Sequence, residues 1–104
     1  MSRRQQIESM LADDPKDSFL RYALALEWAS EHRLEQAVGV LQELVSDDPT
    51  YIPAHLQLGQ LLVKAGIVDK ARATLQSGIA AARNGNDDHA AEEMAALLAT
   101  LGEV

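Results

Sequence analysis

One segment of the sequence places together side chains that could bind a metal ion: Asp87-Asp88-His89, followed by Glu92-Glu93. On a helix, His89 stands three or four residues from either glutamate, a spacing at which both side chains can reach one ion. Di-metal helical proteins take several such carboxylates from facing helices, and the sequence has no Glu-x-x-His motif. Acidic residues also favour a helix amino end. We expect a helix start here, without metal or cofactor; a minor metal-dependent hydrolase built on His89 is the alternative.

The other residue types used in catalysis form no recognisable pattern. No serine lies in a Gly-x-Ser-x-Gly elbow, no glycine-rich phosphate loop is present, and cysteine is absent. His55 falls on the packing side of a predicted helix, so we expect a buried or half-buried histidine. His32 falls in a turn, where we expect it to be solvated. The sequence therefore predicts a protein that is not an enzyme.

Composition and charge limit the classes of partner. The chain of 104 residues has 9 basic and 16 acidic residues, a formal net charge of −7, and its only adjacent basic pair is Arg3-Arg4. Nucleic acids and anionic membranes attract basic patches, so we expect neither as a partner. A neutral-to-basic or amphipathic protein surface fits better. Without a long apolar run or a secretory leader, we expect a cytoplasmic protein.

The sequence repeats itself. Asp13-Asp14-Pro15 recurs as Asp47-Asp48-Pro49, which gives a period of 47 − 13 = 34 residues. Shifting the chain by this period superposes further apolar positions: Leu24 on Leu58, Leu34 on Val68, Ala37 on Ala71, and Leu41 on Leu75. An internal period of this length is typical of a stacked repeat architecture.

Apolar residues recur at three- and four-residue steps, which predicts amphipathic helices and no sheet. Asp14-Pro15 and Asp48-Pro49 interrupt these stripes, Gly66 suits a left-handed helix end, and Asn84-Gly85-Asn86 marks another turn. Asp17 and Thr50 are the predicted amino-terminal caps of the helices that follow them. The pattern predicts six helices, at about 3–12, 18–30, 34–46, 51–64, 68–83 and 88–101.

A helix-turn-helix period of 34 residues resembles the tetratricopeptide repeat. In that family the first helix carries a large residue, then an apolar residue beside a small one, then another large residue. The second helix carries a small alanine near its start, and a proline closes the unit. The repeat that starts at Ser18 supplies Leu24-Ala25, Trp28, Ala37, Leu41 and Pro49. The next repeat supplies His55, Leu58-Gly59, Leu62, Gly66, Ala71, Leu75 and Gly78.

The resemblance covers nearly the whole chain and implies an all-α solenoid of about six antiparallel helices. The small residues imply close approach of paired helices, with Gly59 and Gly78 each placed where glycine costs helix stability. The implied organisation is a single domain over 1–104: a half repeat at 3–15, full repeats at 18–51 and 52–87, and a capping helix at 88–101.

Several positions depart from the family pattern. Arg21 stands where the first large residue belongs, His32 replaces the usual turn glycine, and Arg83 replaces the second closing proline. The segments Phe19-x-Arg21-Tyr22-Ala23-Leu24-Ala25 and Gly78-Ile79-x-x-Ala82-Arg83 also look like a group of small stand-alone bacterial repeat proteins. These departures leave the implied fold unchanged.

In the family, the first helices of stacked repeats line a concave face that holds a peptide or an amphipathic helix. The eight positions that the resemblance places there are called the predicted groove below. They are Phe19, Tyr22, Leu26, Leu56, Gln60, Val63, Lys64 and His89. Because apolar residues at such positions need not build the core, we expect partner contact. We expect Tyr22 and Leu56 above all to contact the partner. For Phe19 and Leu26 the alternative interpretation is that they pack on neighbouring helices.

The best-known specialisation of the family grips an acidic carboxyl tail with lysine, arginine and asparagine. Here Tyr22 and Leu26 occupy the first lysine and asparagine positions, Gln57 the second asparagine position, and His89 and Glu93 the last basic pair. That clamp is missing, so the resemblance implies a scaffold or adaptor for a protein or peptide of another kind. The alternative is a homodimer in which the predicted groove is buried between two copies.

Overall fold

The computed structural model describes residues 1–102 of the chain, so the last two residues of the predicted 1–104 domain lie outside it. The described residues form an all-α fold of six helices without a strand. Their bounds agree with the predicted helices to within one residue at each end. The helices are α1 Arg3–Asp13, α2 Ser18–Ser30, α3 Leu34–Asp47, α4 Ile52–Lys64, α5 Val68–Asn84 and α6 Asp88–Thr100.

The helix starts are capped in two ways. Asp17 Oδ1 accepts the backbone N–H of Leu20 at 2.8 Å, which confirms the predicted cap of α2. The predicted cap at Thr50 is wrong: α4 begins at Ile52 after Tyr51, which makes no capping side-chain bond. Thr50 instead donates its hydroxyl to Asp48 Oδ1 at 2.9 Å. The missing side-chain cap costs α4 little stability, because Pro53 in its first turn has no N–H that needs a hydrogen-bond acceptor.

The turns after α2, α4 and α5 use left-handed backbone. Gly66 has φ +78°, as predicted, and His32 takes the equivalent place in the preceding turn with φ +60°. In the third turn the left-handed residue is Asn86, with φ +58°, while α5 continues through Asn84. Asparagine tolerates this conformation better than most residues.

Successive helices pack side by side, and α4 also contacts α6. The molecule is elongated, with extents of 44 × 29 × 19 Å. Its core divides into two clusters of buried side chains. The first cluster joins α2, α3, α4 and the start of α5: Ala25, Ala37, Leu41, Leu44, Ala54, Leu58, Leu61, Leu62 and Ala71. The second joins α5 to α6: Leu75, Ile79, Ala82, Ala91 and Met94.

Two helical glycines lie at close helix contacts. A methyl group built on Gly59 would lie 2.5 Å from Leu75 Cδ2, and one on Gly78 would lie 2.5 Å from Met94 Sδ and 2.7 Å from His55 Cβ. These distances are shorter than non-bonded carbon atoms allow. The predicted tight packing at both glycines is therefore confirmed.

No helix in the part of the chain described here is long and apolar enough to cross a lipid bilayer.

Candidate protein-binding face

The predicted groove draws its residues from three helices. Phe19, Tyr22 and Leu26 lie on α2, and His89 lies on α6. The remaining four, Leu56, Gln60, Val63 and Lys64, lie on α4. These helices alternate along the chain with α3 and α5, which supply much of the buried core.

The exposed apolar part of the predicted groove lies on α2. Phe19 is 65% exposed and Leu26 is 38% exposed. They stand seven residues apart, two helical turns, so both project from the same side of α2. Much of the surface of these two apolar side chains is exposed to water, and neither belongs to the buried core.

Tyr22 and Leu56 are more enclosed. Tyr22 is half-buried against the first core cluster, and its ring centroid lies 5.7 Å from that of Tyr51 at an angle of 53°. Leu56 is half-buried against the second cluster. Tyr22 and Leu56 are the contact residues predicted ahead of Phe19 and Leu26. In the structure, Phe19 and Leu26 are more exposed than Tyr22 and Leu56.

The polar members of the predicted groove are solvated. Gln60, Lys64 and His89 are exposed, while Val63 is half-buried against the first cluster. His89 Nε2 lies 3.4 Å from Glu93 Oε1, a pair one helical turn apart whose side chains both face solvent. Within residues 1–102, no three histidine or acidic side chains lie together as metal ligands. Among the described residues, Glu93 is the one carboxylate that lies within ion-pair distance of His89.

A cluster at the amino-terminal ends of α2 and α4 was not predicted. Tyr51 packs on Tyr22, and Asp48 Oδ2 accepts the Ser18 hydroxyl at 2.6 Å. Burial raises the pKa of Tyr51, with smaller contributions from the nearby Tyr22, Asp17 and Asp48. The hydroxyls of Ser18 and Thr50 lower the pKa of Asp48 by donating hydrogen bonds to its charged form. In the sequence, the one indication of this cluster is the position of Tyr51, two residues after Asp48-Pro49.

Arg21 has a structural partner. Its side chain is 10% exposed, and its guanidinium lies 3.1 Å from Asp47 Oδ2 at the end of α3. Lys16 lies 3.3 Å from the same oxygen. Hydrogen bonds from Arg21 and then Lys16 lower the pKa of Asp47. Arg21, the apparent departure from the family pattern, thus anchors α2 to the end of its paired helix.

The remaining histidines occupy the predicted environments. His55 is buried, and its Nε2 donates to the Pro49 carbonyl at 2.8 Å. His32 is exposed in its turn. His55 is therefore held by packing and a backbone bond.

A pocket of about 250 Å³ lies away from the predicted groove, between α3 and the turn that joins α4 to α5. Its lining includes Leu34, Val38, Leu62 and Ile67, with Glu35 and Lys70 also at its wall. Ile67 is 44% exposed. In the sequence, Leu34, Val38 and Leu62 are not distinguished from the other apolar residues of the helical stripes.

Comparison with known proteins places these helices in a family. The Tetratricopeptide repeat family profile matches residues 29–101. A tetratricopeptide repeat-containing protein of Pseudomonas aeruginosa is 32% identical over 95 residues, covering 91% of this chain and 90% of that protein.

Two solved structures are similar over most of the chain. The solution structure of a tetratricopeptide repeat domain protein from Salinibacter ruber has 31% identity and a TM-score of 0.81, covering 85% of this chain and 89% of that one. The solution structure of a protein from Bordetella parapertussis has 30% identity and a TM-score of 0.82, covering 97% of this chain and 88% of that one. The chain therefore belongs to the tetratricopeptide repeat family, whose members are generally protein–protein interaction modules.

Proposed function

We propose that this protein is a non-catalytic scaffold or adaptor that binds a peptide or an amphipathic helix along the predicted groove. The observation that supports this most is the pair Phe19 and Leu26, exposed by 65% and 38% and aligned on one side of α2. An amphipathic helix presents apolar residues at similar spacings. Two exposed apolar anchors in line therefore suit such a partner.

Charge supports a neutral-to-basic or amphipathic partner. The chain carries a formal net charge of −7, which attracts basic partners at long range. Four basic side chains are already paired with carboxylates of the chain itself: Arg3, Arg4, Lys16 and Arg21. These cations are less available to phosphate groups, so nucleic acid is not part of the proposal. A cytoplasmic location is part of it.

The test uses peptides selected from a random library on the purified protein, with affinity measured by fluorescence anisotropy. Phe19→Ala should weaken binding by about tenfold and Leu26→Ala by about threefold, because fully burying such a side chain contributes roughly 1.5–3 kcal/mol, tenfold is about 1.4 kcal/mol, and Leu26 is only 38% exposed before binding. Ile67→Ala is the matched control, since Ile67 is comparably exposed in another part of the molecule. A loss of affinity as large in the control as in the α2 variants would contradict the assignment.

A second occupant of the same surface is another copy of the chain. The exposed Phe19 and Leu26 favour this too, because a self-complementary apolar patch produces a two-fold dimer. Light scattering separates the two proposals. A dimer that Phe19→Ala converts to a monomer supports self-association, whereas a monomer at all concentrations leaves the surface free for a different protein.

A further inference from the structure

Three aromatic residues lie at the amino-terminal ends of α2 and α4: Tyr22 and Tyr51, whose rings contact each other, and the exposed Phe19, one helical turn before Tyr22. We call them the aromatic corner. We propose that the aromatic corner binds the guanidinium group of an arginine in the partner peptide, with Asp17 and Asp48 as its counter-charges. This inference rests on the proposed function and specifies the partner's chemistry.

The rings offer an accessible aromatic surface. Phe19 is 65% exposed, and it lies one helical turn before Tyr22 on the same side of α2. Tyr22 and Tyr51 contact each other at 5.7 Å between centroids with a tilt of 53°. Both tyrosines are half-buried and are held by the first core cluster. The corner is thus one exposed ring beside two half-buried ones.

Two carboxylates, Asp17 and Asp48, lie beside these rings without an ion-pair partner among the described residues. Asp17 accepts a backbone N–H, and Asp48 accepts two hydroxyls, so each has only neutral donors. The nearby cation Arg21 is bonded to Asp47, and its charge is the smallest of the influences that lower the pKa of Asp48. Burial raises the pKa of Tyr51 most, and the charges of Asp17 and Asp48 add to that rise, as expected of carboxylates near its ring.

Arginine suits this arrangement better than lysine. Its flat guanidinium stacks on aromatic rings and donates a fork of N–H groups to carboxylates at the same time. The protein uses the same combination elsewhere. Arg4 lies 4.2 Å from the centroid of the Trp28 ring while its nitrogen atoms bond Glu31 and Glu8, both at 2.8 Å. In the aromatic corner the rings and the carboxylates are present and the cation is to be supplied by the partner.

The first test uses two probes on the unmodified protein: N-acetyl-arginine N-methylamide and its neutral isostere, N-acetyl-citrulline N-methylamide. Binding is followed by two-dimensional amide NMR. The arginine probe should give saturable shifts at residues 17–22 and 51, weakened by salt because the attraction is ionic. The citrulline probe should bind several-fold more weakly. Equal binding of the two probes, or shifts confined to other residues, would overturn the proposal.

The second test uses variants that keep the fold. Asp17→Asn removes a charge while asparagine still caps α2, and Phe19→Leu keeps an apolar side chain without a ring. Each should weaken the arginine probe at least about threefold, as losing a cation–π or charged contact does. Asp69→Asn, at the start of α5, removes the same charge elsewhere and should change nothing. Equal weakening by Asp69→Asn would assign the effect to net charge and refute the corner.

The library peptides separate this inference from the proposed function. If they bind through Phe19 and Leu26 but lose no affinity when their arginines become citrulline, the groove assignment stands and the arginine site fails. If they bind independently of Phe19 and Leu26, the proposed function fails, while the arginine probe still decides the corner.

Discussion

Gly59 lies in the interior of α4, where glycine costs a helix about 1 kcal/mol relative to alanine. The close approach of Leu75 explains the residue, since both Cδ2 and Cγ of that side chain lie within 2.8 Å of where a methyl group would be. Gly39, in the interior of α3, has no neighbouring atom within 4 Å of the same point. The two glycines therefore form a natural pair for comparison.

Gly59→Ala should destabilise the protein by up to about 2 kcal/mol, because the overpacking cost of roughly 1–3 kcal/mol is larger than the gain of about 1 kcal/mol in helix propensity. Gly39→Ala should stabilise it by up to about 1 kcal/mol through propensity alone. Urea unfolding followed by circular dichroism measures both. Stabilisation by both substitutions would show that Leu75 can move aside freely.

At the scale of elements, α1 is attached differently from the other helices. Of its 11 residues only Ile7 is buried, and Met10 is 49% exposed. Two ion pairs link it to α2 and to the residue that follows α2: Arg3 lies 2.6 Å from Glu27, and Arg4 bonds Glu31 and stacks on Trp28. Exposed ion pairs contribute little to stability and are screened by salt. The end of the solenoid formed by α1 is thus its least firmly packed part.

We expect α1 to open locally before the rest of the fold, and to open more readily in salt. Raising NaCl from about 0.1 M to about 1 M shortens the Debye length from roughly 10 to roughly 3 Å. Hydrogen exchange of the α1 amides should then accelerate several-fold while α4 is unchanged. Arg4→Met, which keeps an apolar stem over Trp28 without the charge, should show a smaller salt response. An α1 as protected as α4 in both salts would contradict this.

The six helices could be predicted from sequence because their signals are local. Pro15 and Pro49 end the stripes, and Gly66 supplies a left-handed turn. Thr50 was misassigned because its hydroxyl has a competing acceptor in Asp48, which is a matter of three-dimensional neighbours.

The exposure of the side chains in the predicted groove was harder to predict, because it too depends on three-dimensional neighbours. Tyr22 is half-buried because Tyr51 lies against it, and the repeat pattern carries no signal for that contact. Leu56 is half-buried by side chains of α5 and α6. A family position specifies which helix carries a residue, whereas exposure depends on the neighbours that later helices supply.

Across the whole molecule, stability is distributed over two core clusters, and packing is mainly between neighbouring helices. Leu41 is fully buried in the first cluster and Met94 in the second. In such a linear array the stability of one part depends mostly on its neighbours. A substitution that destabilises one cluster should therefore affect the helices of that cluster more than the other helices.

Met94→Ala should cost about 2–5 kcal/mol, as for other fully buried large residues, and should expose α5 and α6 to hydrogen exchange more than α2 and α3. Leu41→Ala should show the opposite distribution at a similar cost. Peptide-resolved exchange measured by mass spectrometry tests both. A uniform loss of protection in both variants would mean that the two clusters unfold as one unit.

The carboxylate of Asp48 has a geometric consequence for the array as a whole. One of its oxygens accepts the hydroxyl of Ser18, the first residue of α2, and the other accepts the hydroxyl of Thr50, just before α4. This side chain, at the end of α3, therefore connects the first residue of α2 to the turn that leads into α4. The two hydrogen bonds add to helix packing in positioning α2 relative to α4, and so bear on the length of ligand that can span both helices.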